Sequence, residues 1–168
     1  MDSESLKALQ APLKAQYREA PAAALITLKA ESSGTDGVAC SLETARGLVT
    51  AGLHPATGGD GSLACSGDML LQALVACAGV TLQAVATAFG VTLTRSRILA
   101  EGDLDFRGTL GVAKDAPVGF RDIRLVFDVA ADAPPETIQK IVDTTEKYCV
   151  VLQTLKQTPA IATSVAAG

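Results

Sequence analysis

The chain has 168 residues, with 18 acidic against 14 basic side chains and a formal net charge of −4. This length fits a single domain spanning residues 1–168, which can bury about two-thirds of the surface that its unfolded chain exposes. The basic side chains form no cluster, which argues against a nucleic-acid interface or an anionic-membrane surface. The first seven residues lack the charged and apolar regions of a secretory signal, so we expect a cytoplasmic protein with reduced cysteines.

Four cysteines lie far apart in the sequence, and His54 is the only histidine. A structural zinc site needs closely spaced pairs of ligands, so we expect no metal. In a reducing compartment, separated cysteines are either small core side chains or reactive thiols. The cysteines are Cys40, in a predicted strand, Cys65, in a predicted loop, and Cys77 and Cys149, in predicted helices.

The first part of the chain predicts a short helix followed by antiparallel strands. Residues 6–18 favour the helix, within an N-terminal extension of about twenty residues that precedes a core at residues 24–168. Three strands are expected, the first two joined by a turn at residues 32–37. These strands are residues 24–30, 38–44 and 47–51. The glycine- and proline-rich residues 52–61 predict a loop.

Residues 69–89 contain no charged side chain. The segment is almost long enough to span a bilayer, but its two glutamines, its alanine-rich composition and the lack of flanking basic residues argue against a membrane span. We predict a central helix buried on nearly all sides. Ser66 is the expected N-cap, Asp68 lies in the first turn near the positive end of the helix dipole, and Gly90 ends the helix.

The second part of the chain predicts strands, a helix and a last strand. Apolar residues alternate with charged ones in two segments, which a long loop at residues 108–119 connects. Two prolines at residues 134–135 open a helix whose apolar face includes Cys149. The predicted strands are residues 103–107, 122–129 and 161–165. This order of elements predicts an α+β domain.

Cys77 lies midway along the predicted central helix, on the same side as Leu74 and Thr81. Cys149 lies on the apolar face of the later helix. Two inward-facing cysteines on separate helices can meet in space, but neither their spacing nor the helical period decides whether they do. The two cysteines are therefore either a redox pair or core residues.

Several motifs, taken together, resemble the OsmC/Ohr family of osmotically inducible and organic-hydroperoxide-resistance proteins. They are residues 59–61, 66–71, 76–77, 119–120 before an Ile-Arg-Leu strand, and 146–149. The resemblance covers most of the chain from about residue 24 onward. It implies an OsmC-like fold, in which antiparallel sheets wrap around a long buried central helix in an intertwined homodimer.

The resemblance also implies an activity, the reduction of small organic hydroperoxides in oxidative stress defence. Cys77 matches the family's cysteine that attacks the peroxide and becomes a sulfenic acid, and Cys149 matches the one that resolves it as a disulfide. A dithiol reductant would regenerate the thiols. We expect no metal, no organic cofactor and no nucleic-acid or membrane partner.

The sequence departs from the family pattern around these cysteines. Characterised members carry a glutamate about ten residues before the first cysteine, and an arginine in the first hairpin that lowers the thiol pKa. Here Gly67 takes the glutamate position with Asp68 beside it, and the arginine candidates are Arg18 and Arg46. Val150 replaces the usual proline. Arg18 and Asp68 therefore join the two cysteines as candidate catalytic residues.

Two other functions remain open at this point. The same dimer-interface pocket would suit a protein that binds an apolar small molecule without turning it over. Alternatively, a regulatory dimer could sense oxidants through its thiols without catalysis.

Overall fold

The computed structural model describes residues 1–35, 37–44 and 46–166. The helices are α1 (Ser3–Glu19), α2 (Ser66–Ala88), α3 (Phe106–Thr109), α4 (Pro135–Tyr148) and α5 (Val150–Lys156), with 3-10 turns at Pro21–Ala24 and Pro55–Thr57. The strands are β1 (Ser32–Gly34), β2 (Ala39–Thr44), β3 (Gly47–Gly52), β4 (Leu93–Leu104) and β5 (Phe120–Ala131). The α+β class predicted from the sequence is confirmed.

The strands form two antiparallel sheets. The first sheet has the order β1-β2-β3, and β2 and β3 form its longest strand pair. The second sheet consists of β4 and β5, which pair along almost their whole length with Ile98 opposite Phe127. Because side chains alternate along a strand, Ile98 and Phe127 lie on the same face, and both pack against the buried residues of the core.

Helix α2 lies at the centre of the chain's core. Its buried side chains recur at intervals of three to four residues, the period of one helix face, and are Leu74, Ala78, Leu82, Val85 and Ala86. One end of this face packs against Ile141 of α4, and the other packs against Cys149. Full burial of a large apolar side chain contributes about 1.5–3 kcal/mol, so Leu74 and Leu82 each stabilise the fold by about this amount.

The two ends of α2 follow the predicted signals closely. Ser66 is the first helical residue rather than the N-cap, because the chain becomes helical one residue earlier than predicted and Cys65 occupies the cap position. Asp68 lies in the first turn, as predicted. Gly90 adopts a φ of +71° and donates its N–H to the carbonyl oxygen of Thr87 at 3.0 Å, which ends the helix as expected.

The opposite face of α2 is not covered by the residues that the structure describes. Val80 is 74 % exposed, so the predicted burial on nearly all sides is not reached within one subunit. The sheets and helices of a single chain pack on one side of α2 only. By length and composition α2 could also cross a membrane, a criterion that core helices of soluble proteins meet as well.

Two predicted strands are wrong. Residues 24–30 form the end of a 3-10 turn and an irregular segment in which Leu28 is 89 % exposed, and residues 161–165 are irregular, with Val165 93 % exposed. Both segments have a strand-like pattern, but neither pairs with a strand in the described part of the chain. The predicted turn at residues 32–37 instead contains β1, while Asp36 lies outside the described residues.

The remaining elements agree with the sequence to within a few residues, apart from the start of β4. Strands β2, β3 and β5 lie where they were predicted. Helix α4 begins as predicted but ends at Tyr148, so Cys149 is extended between α4 and α5 and does not lie on a helix face. Strand β4 begins ten residues before the predicted segment, and Phe106 begins α3 instead of continuing the strand. The cause is Asp105, whose side chain accepts the Arg107 N–H at 3.1 Å and caps the short helix.

Candidate functional site

Cys77 and Cys149 meet in the core, where both are free thiols. Cys77 lies in the middle of α2 and is half-buried, whereas Cys149 is completely buried against Leu74 and Ala78 of the same helix. The side chains of Cys77 and Cys149 pack together, and each thiol shifts the pKa of the other. The structure therefore brings together the two cysteines that the sequence singled out.

The corner between α4 and α5 sets the position of Cys149. This residue ends α4 and begins α5 in an extended conformation, with a φ of −72° and a ψ of 105°. Its N–H donates to Thr145 O, and its carbonyl accepts the Gln153 N–H, each at 2.9 Å. Gln153 Nε2 also donates to the Glu146 carbonyl at 2.8 Å, which fastens α5 to the end of α4.

The surroundings of Cys77 favour its thiolate. Burial acts against ionisation, but the backbone N–H groups of Val151 and Val150 point at the sulfur from the first turn of α5. The Cys149 thiol and the Thr81 hydroxyl add two further donors. Hydrogen bonds to a charged form stabilise it, and together these donors outweigh burial and hold the pKa of Cys77 below its ordinary value.

The pKa of Cys149 is shifted in the opposite direction, upwards. Burial raises the pKa of the Cys149 thiol, and its hydrogen bond to Cys77 and the negative charge on that sulfur raise it further. Because the two thiols interact, they titrate as a pair, and Cys77 loses its proton first. Once one proton has left, the pair therefore carries its charge mainly on Cys77 and its remaining proton on Cys149.

The other two predicted site residues lie elsewhere. Arg18 is exposed in the last turn of α1, and it is not among the groups that shift the pKa of Cys77. Asp68 is exposed nine residues before Cys77, a rise of about 13 Å along the helix. Arg46, the alternative arginine, is exposed beside the β2–β3 turn. The structure of one chain does not bring these groups to the thiols.

Three donors near Cys77 were not identified as site residues from the sequence. Thr81 lies one helical turn after Cys77, so its position on the same face was visible in the spacing. The N–H groups of Val150 and Val151 carry no sequence signal, because they depend on where α5 begins. Among the described residues, no cluster of three or more His, Cys, Asp or Glu side chains could hold a metal ion.

Solved structures with the same fold come from several bacteria. A crystal structure of an OsmC-like protein from Mycoplasma pneumoniae has a TM-score of 0.66 and 18% identity, covering 79% of this chain and 89% of that one. An organic hydroperoxide resistance protein from Elizabethkingia anophelis, with thiocyanate bound, has a TM-score of 0.60 and 13% identity. The match covers 80% of this chain and 91% of that one. At these identities the likeness shows the fold alone.

A third structure, the Organic Hydroperoxide Resistance Protein OhrB of Bacillus subtilis, has a TM-score of 0.54 and 18% identity, covering 78% of this chain and 93% of that one. No curated protein is similar enough in sequence to count as a match. The family model described as OsmC-like protein matches residues 59–164, which include both helices that carry the paired cysteines. Because this match covers more than half of the chain, the protein belongs to the OsmC-like family.

Proposed function

We propose that this protein reduces small organic hydroperoxides through a two-cysteine cycle. The observation that carries the proposal is the contact between Cys77, whose pKa is lowered, and the buried Cys149, whose pKa is raised. Two proteins with the same fold, from Elizabethkingia anophelis and Bacillus subtilis, are named organic hydroperoxide resistance proteins, which is consistent with this chemistry.

In the first step, the Cys77 thiolate attacks the outer oxygen of the hydroperoxide. The sulfur–oxygen bond forms as the O–O bond breaks, and the leaving alkoxide takes up one proton to become an alcohol. The peroxide is reduced by two electrons, and Cys77 becomes a sulfenic acid. The donors from Val150, Val151 and Thr81 support this step by keeping the sulfur ionised.

In the second step, Cys149 attacks the sulfur of the sulfenic acid. A disulfide forms and the hydroxyl group leaves as water, taking up the Cys149 proton. A dithiol then reduces the disulfide by thiol–disulfide exchange and is itself oxidised to a disulfide. The cycle needs no metal or organic cofactor, and a reducing compartment such as the cytoplasm would supply the reductant.

The apolar surroundings of the cysteines favour organic peroxides over hydrogen peroxide. Ile123, Leu125 and Leu152 pack partly buried against the cluster that holds the two thiols. An alkyl group placed against such side chains gains about 25 cal/mol for each Å² of apolar surface that leaves water. Hydrogen peroxide has no alkyl group, so its binding gains no free energy from the burial of apolar surface.

We also infer that the protein works as a homodimer. Val80 and the open space around Gly79 lie on the uncovered face of α2, and Leu25, Ile26 and Leu28 are exposed in the irregular segment before β1. A second copy could cover this apolar face of α2. Its sheet could also offer a pairing edge to residues 24–30, whose sequence has the pattern of a strand. A membrane is the less favoured partner, since no basic cluster lies beside the exposed face.

One observation favours oxidant sensing without turnover as a second candidate. In the described part of the chain, no arginine side chain contributes to the lowered pKa of Cys77. A thiolate stabilised by neutral donors alone would react more slowly than one beside a guanidinium group. Slow single-turnover oxidation suits a sensor, whereas defence requires rapid turnover.

The test is consumption of cumene hydroperoxide or tert-butyl hydroperoxide by the purified protein with excess dithiol. We expect turnover well above that of dithiol alone, at least tenfold lower turnover in Cys77→Ser, and at least tenfold lower turnover in Cys149→Ser. Cys40→Ser is the matched control, because Cys40 is half-buried in β2 and lies outside the paired site, and it should keep wild-type turnover.

Three outcomes separate the candidates. Turnover that depends on Cys77 supports the peroxidase. A single round of Cys77 oxidation without steady-state consumption would support the sensor. A folded protein whose thiols react no faster than free dithiol would exclude both and leave a binding protein.

A further inference from the structure

A cleft of about 360 Å³ lies at the start of α2, away from the paired cysteines. The loop after β3, the first turn of α2 and the connection between β4 and β5 enclose it. Its walls include Leu104, Phe106 and Phe120. His54 lies at one side, and Cys65 and Gly67 lie at the floor. Gly67 precedes Cys77 by ten residues, about 15 Å along the helix, so this cleft is separate from the thiol pair.

The cleft has flat aromatic walls. The imidazole ring of His54 stacks on the phenyl ring of Phe106, with ring centroids 4.8 Å apart and planes only 17° from parallel. Phe106 is held there because Asp105 caps the short helix α3 that it begins. Phe120 forms another wall at the start of β5. Offset stacking on such rings favours a planar ligand.

The residues that line the cleft include hydrogen-bond donors, among them His54 and the first residues of α2. His54 Nδ1 accepts the backbone N–H of Ala56 at 3.0 Å, so the neutral imidazole carries its proton on Nε2 and can donate it. Cys65, the N-cap of α2, makes no side-chain capping bond, which leaves the N–H groups of Ser66 and Gly67 without that partner. A ligand with acceptor oxygens complements both sets of donors.

Gly67 keeps the floor of the cleft open. A Cβ atom at this position would lie 3.5 Å from Phe120 Cζ, 3.6 Å from Leu104 Cδ1 and 3.6 Å from Cys65 Sγ. These are ordinary contact distances, so a Cβ would fit, but the rest of a larger side chain would extend among the residues that line the cleft. The glycine therefore leaves room that any long side chain would occupy.

We propose that this cleft binds a small aromatic carboxylate. The ring would lie against Phe106 and Phe120, and the carboxylate would accept from His54 Nε2 and the first N–H groups of α2. The cleft volume falls within the range of about 300–1,000 Å³ usual for small-molecule sites, towards its lower end, so one ring with a short substituent is the expected size.

The test uses benzoate as the probe and the full-length protein labelled with ¹⁵N. We expect saturable shifts of the Ser66 and Gly67 amide signals and of the His54 ring, and slower iodoacetamide labelling of Cys65 at saturating benzoate. Gly67→Leu should abolish the shifts by filling the cleft, and Phe106→Ala should weaken binding about tenfold by removing one wall. Val112→Ala, at an exposed position outside the cleft, should bind like the wild type.

Two comparison compounds make the assignment specific. Acetate has the carboxylate without the ring, and benzyl alcohol has the ring without the charge. Shifts of equal size and midpoint with acetate would overturn the aromatic site, and equally tight binding of benzyl alcohol would overturn the role of the carboxylate. Absence of saturable shifts with benzoate in the folded protein would overturn the proposal altogether. This outcome is independent of peroxide turnover, which tests the thiol pair and not the cleft.

Discussion

Cys149 is completely buried at the corner between α4 and α5, where its side chain packs against the half-buried Cys77 of α2. The same corner directs the N–H groups of Val150 and Val151 at the Cys77 sulfur. One turn of the chain thus supplies both the second thiol and two of the groups that favour the first thiolate. Each of these features leads to an experiment.

Oxidation should join the two cysteines. Because their side chains already pack together in the core, one equivalent of cumene hydroperoxide should convert the reduced protein to a Cys77–Cys149 disulfide with little movement of α2 or α5. Peptide mapping by mass spectrometry should find this bond, while Cys40 and Cys65 remain reduced. In Cys149→Ser the reaction should stop at a sulfenic acid on Cys77 that dimedone traps. A disulfide between any other pair would contradict the geometry.

The pKa of Cys77 should depend on the hydroxyl group of Thr81. Because the pKa of Cys77 is lowered, its thiolate forms at a lower pH than that of an ordinary cysteine, and its alkylation rate should rise with pH and level off earlier. Thr81→Val removes one donor and should move this midpoint to higher pH. The measurement is the iodoacetamide labelling rate of the Cys77 peptide against pH, with Thr87→Val as control on the same helix. An unchanged midpoint in Thr81→Val would argue that the hydroxyl does not act on the sulfur.

The packing of α2 against α4 should dominate stability. Ile141 is completely buried beside Leu82 and Ala86, and truncating such a side chain leaves a cavity that the core cannot fill. We expect Ile141→Ala to lower the free energy of unfolding by about 2–5 kcal/mol. Val112→Ala, at an exposed position after α3, should change it by less than about 0.5 kcal/mol. Urea denaturation followed by circular dichroism measures both, and equal effects would show that this contact is not part of the stable core.

The uncovered face of α2 should mediate dimer formation. Val80 is exposed in the single chain, so an arginine there would place a charge between two copies that pack through this face. Val80→Arg should shift the wild-type dimer towards monomer in sedimentation velocity, whereas Val112→Arg should leave it unchanged. A wild-type chain that remains monomeric at all concentrations would exclude the dimer, and a variant that remains fully dimeric would place the interface elsewhere.

Local patterns predicted most of the fold because the forces that define them act over a few residues. The uncharged segment at residues 69–89 marked α2, Gly90 marked its end, and the alternation in residues 122–129 marked β5. The same reasoning failed at residues 24–30 and 161–165. Their strand-like composition was correctly recognised, but a strand needs a pairing edge, and composition does not show whether one is present.

The sequence by itself determined the class of the fold and the family and offered Cys77 and Cys149 as candidate functional residues, since these follow from hydrophobic period, helix-end signals and motifs. Only the tertiary structure decided that Cys77 and Cys149 touch, that Cys77 ionises first, and that Arg18 and Asp68 are not brought to the thiols within one chain. It also decided that His54, Phe106 and Cys65 share a cleft. These relationships depend on how distant helices and loops pack, and no local pattern specifies the distance between residues far apart in the chain.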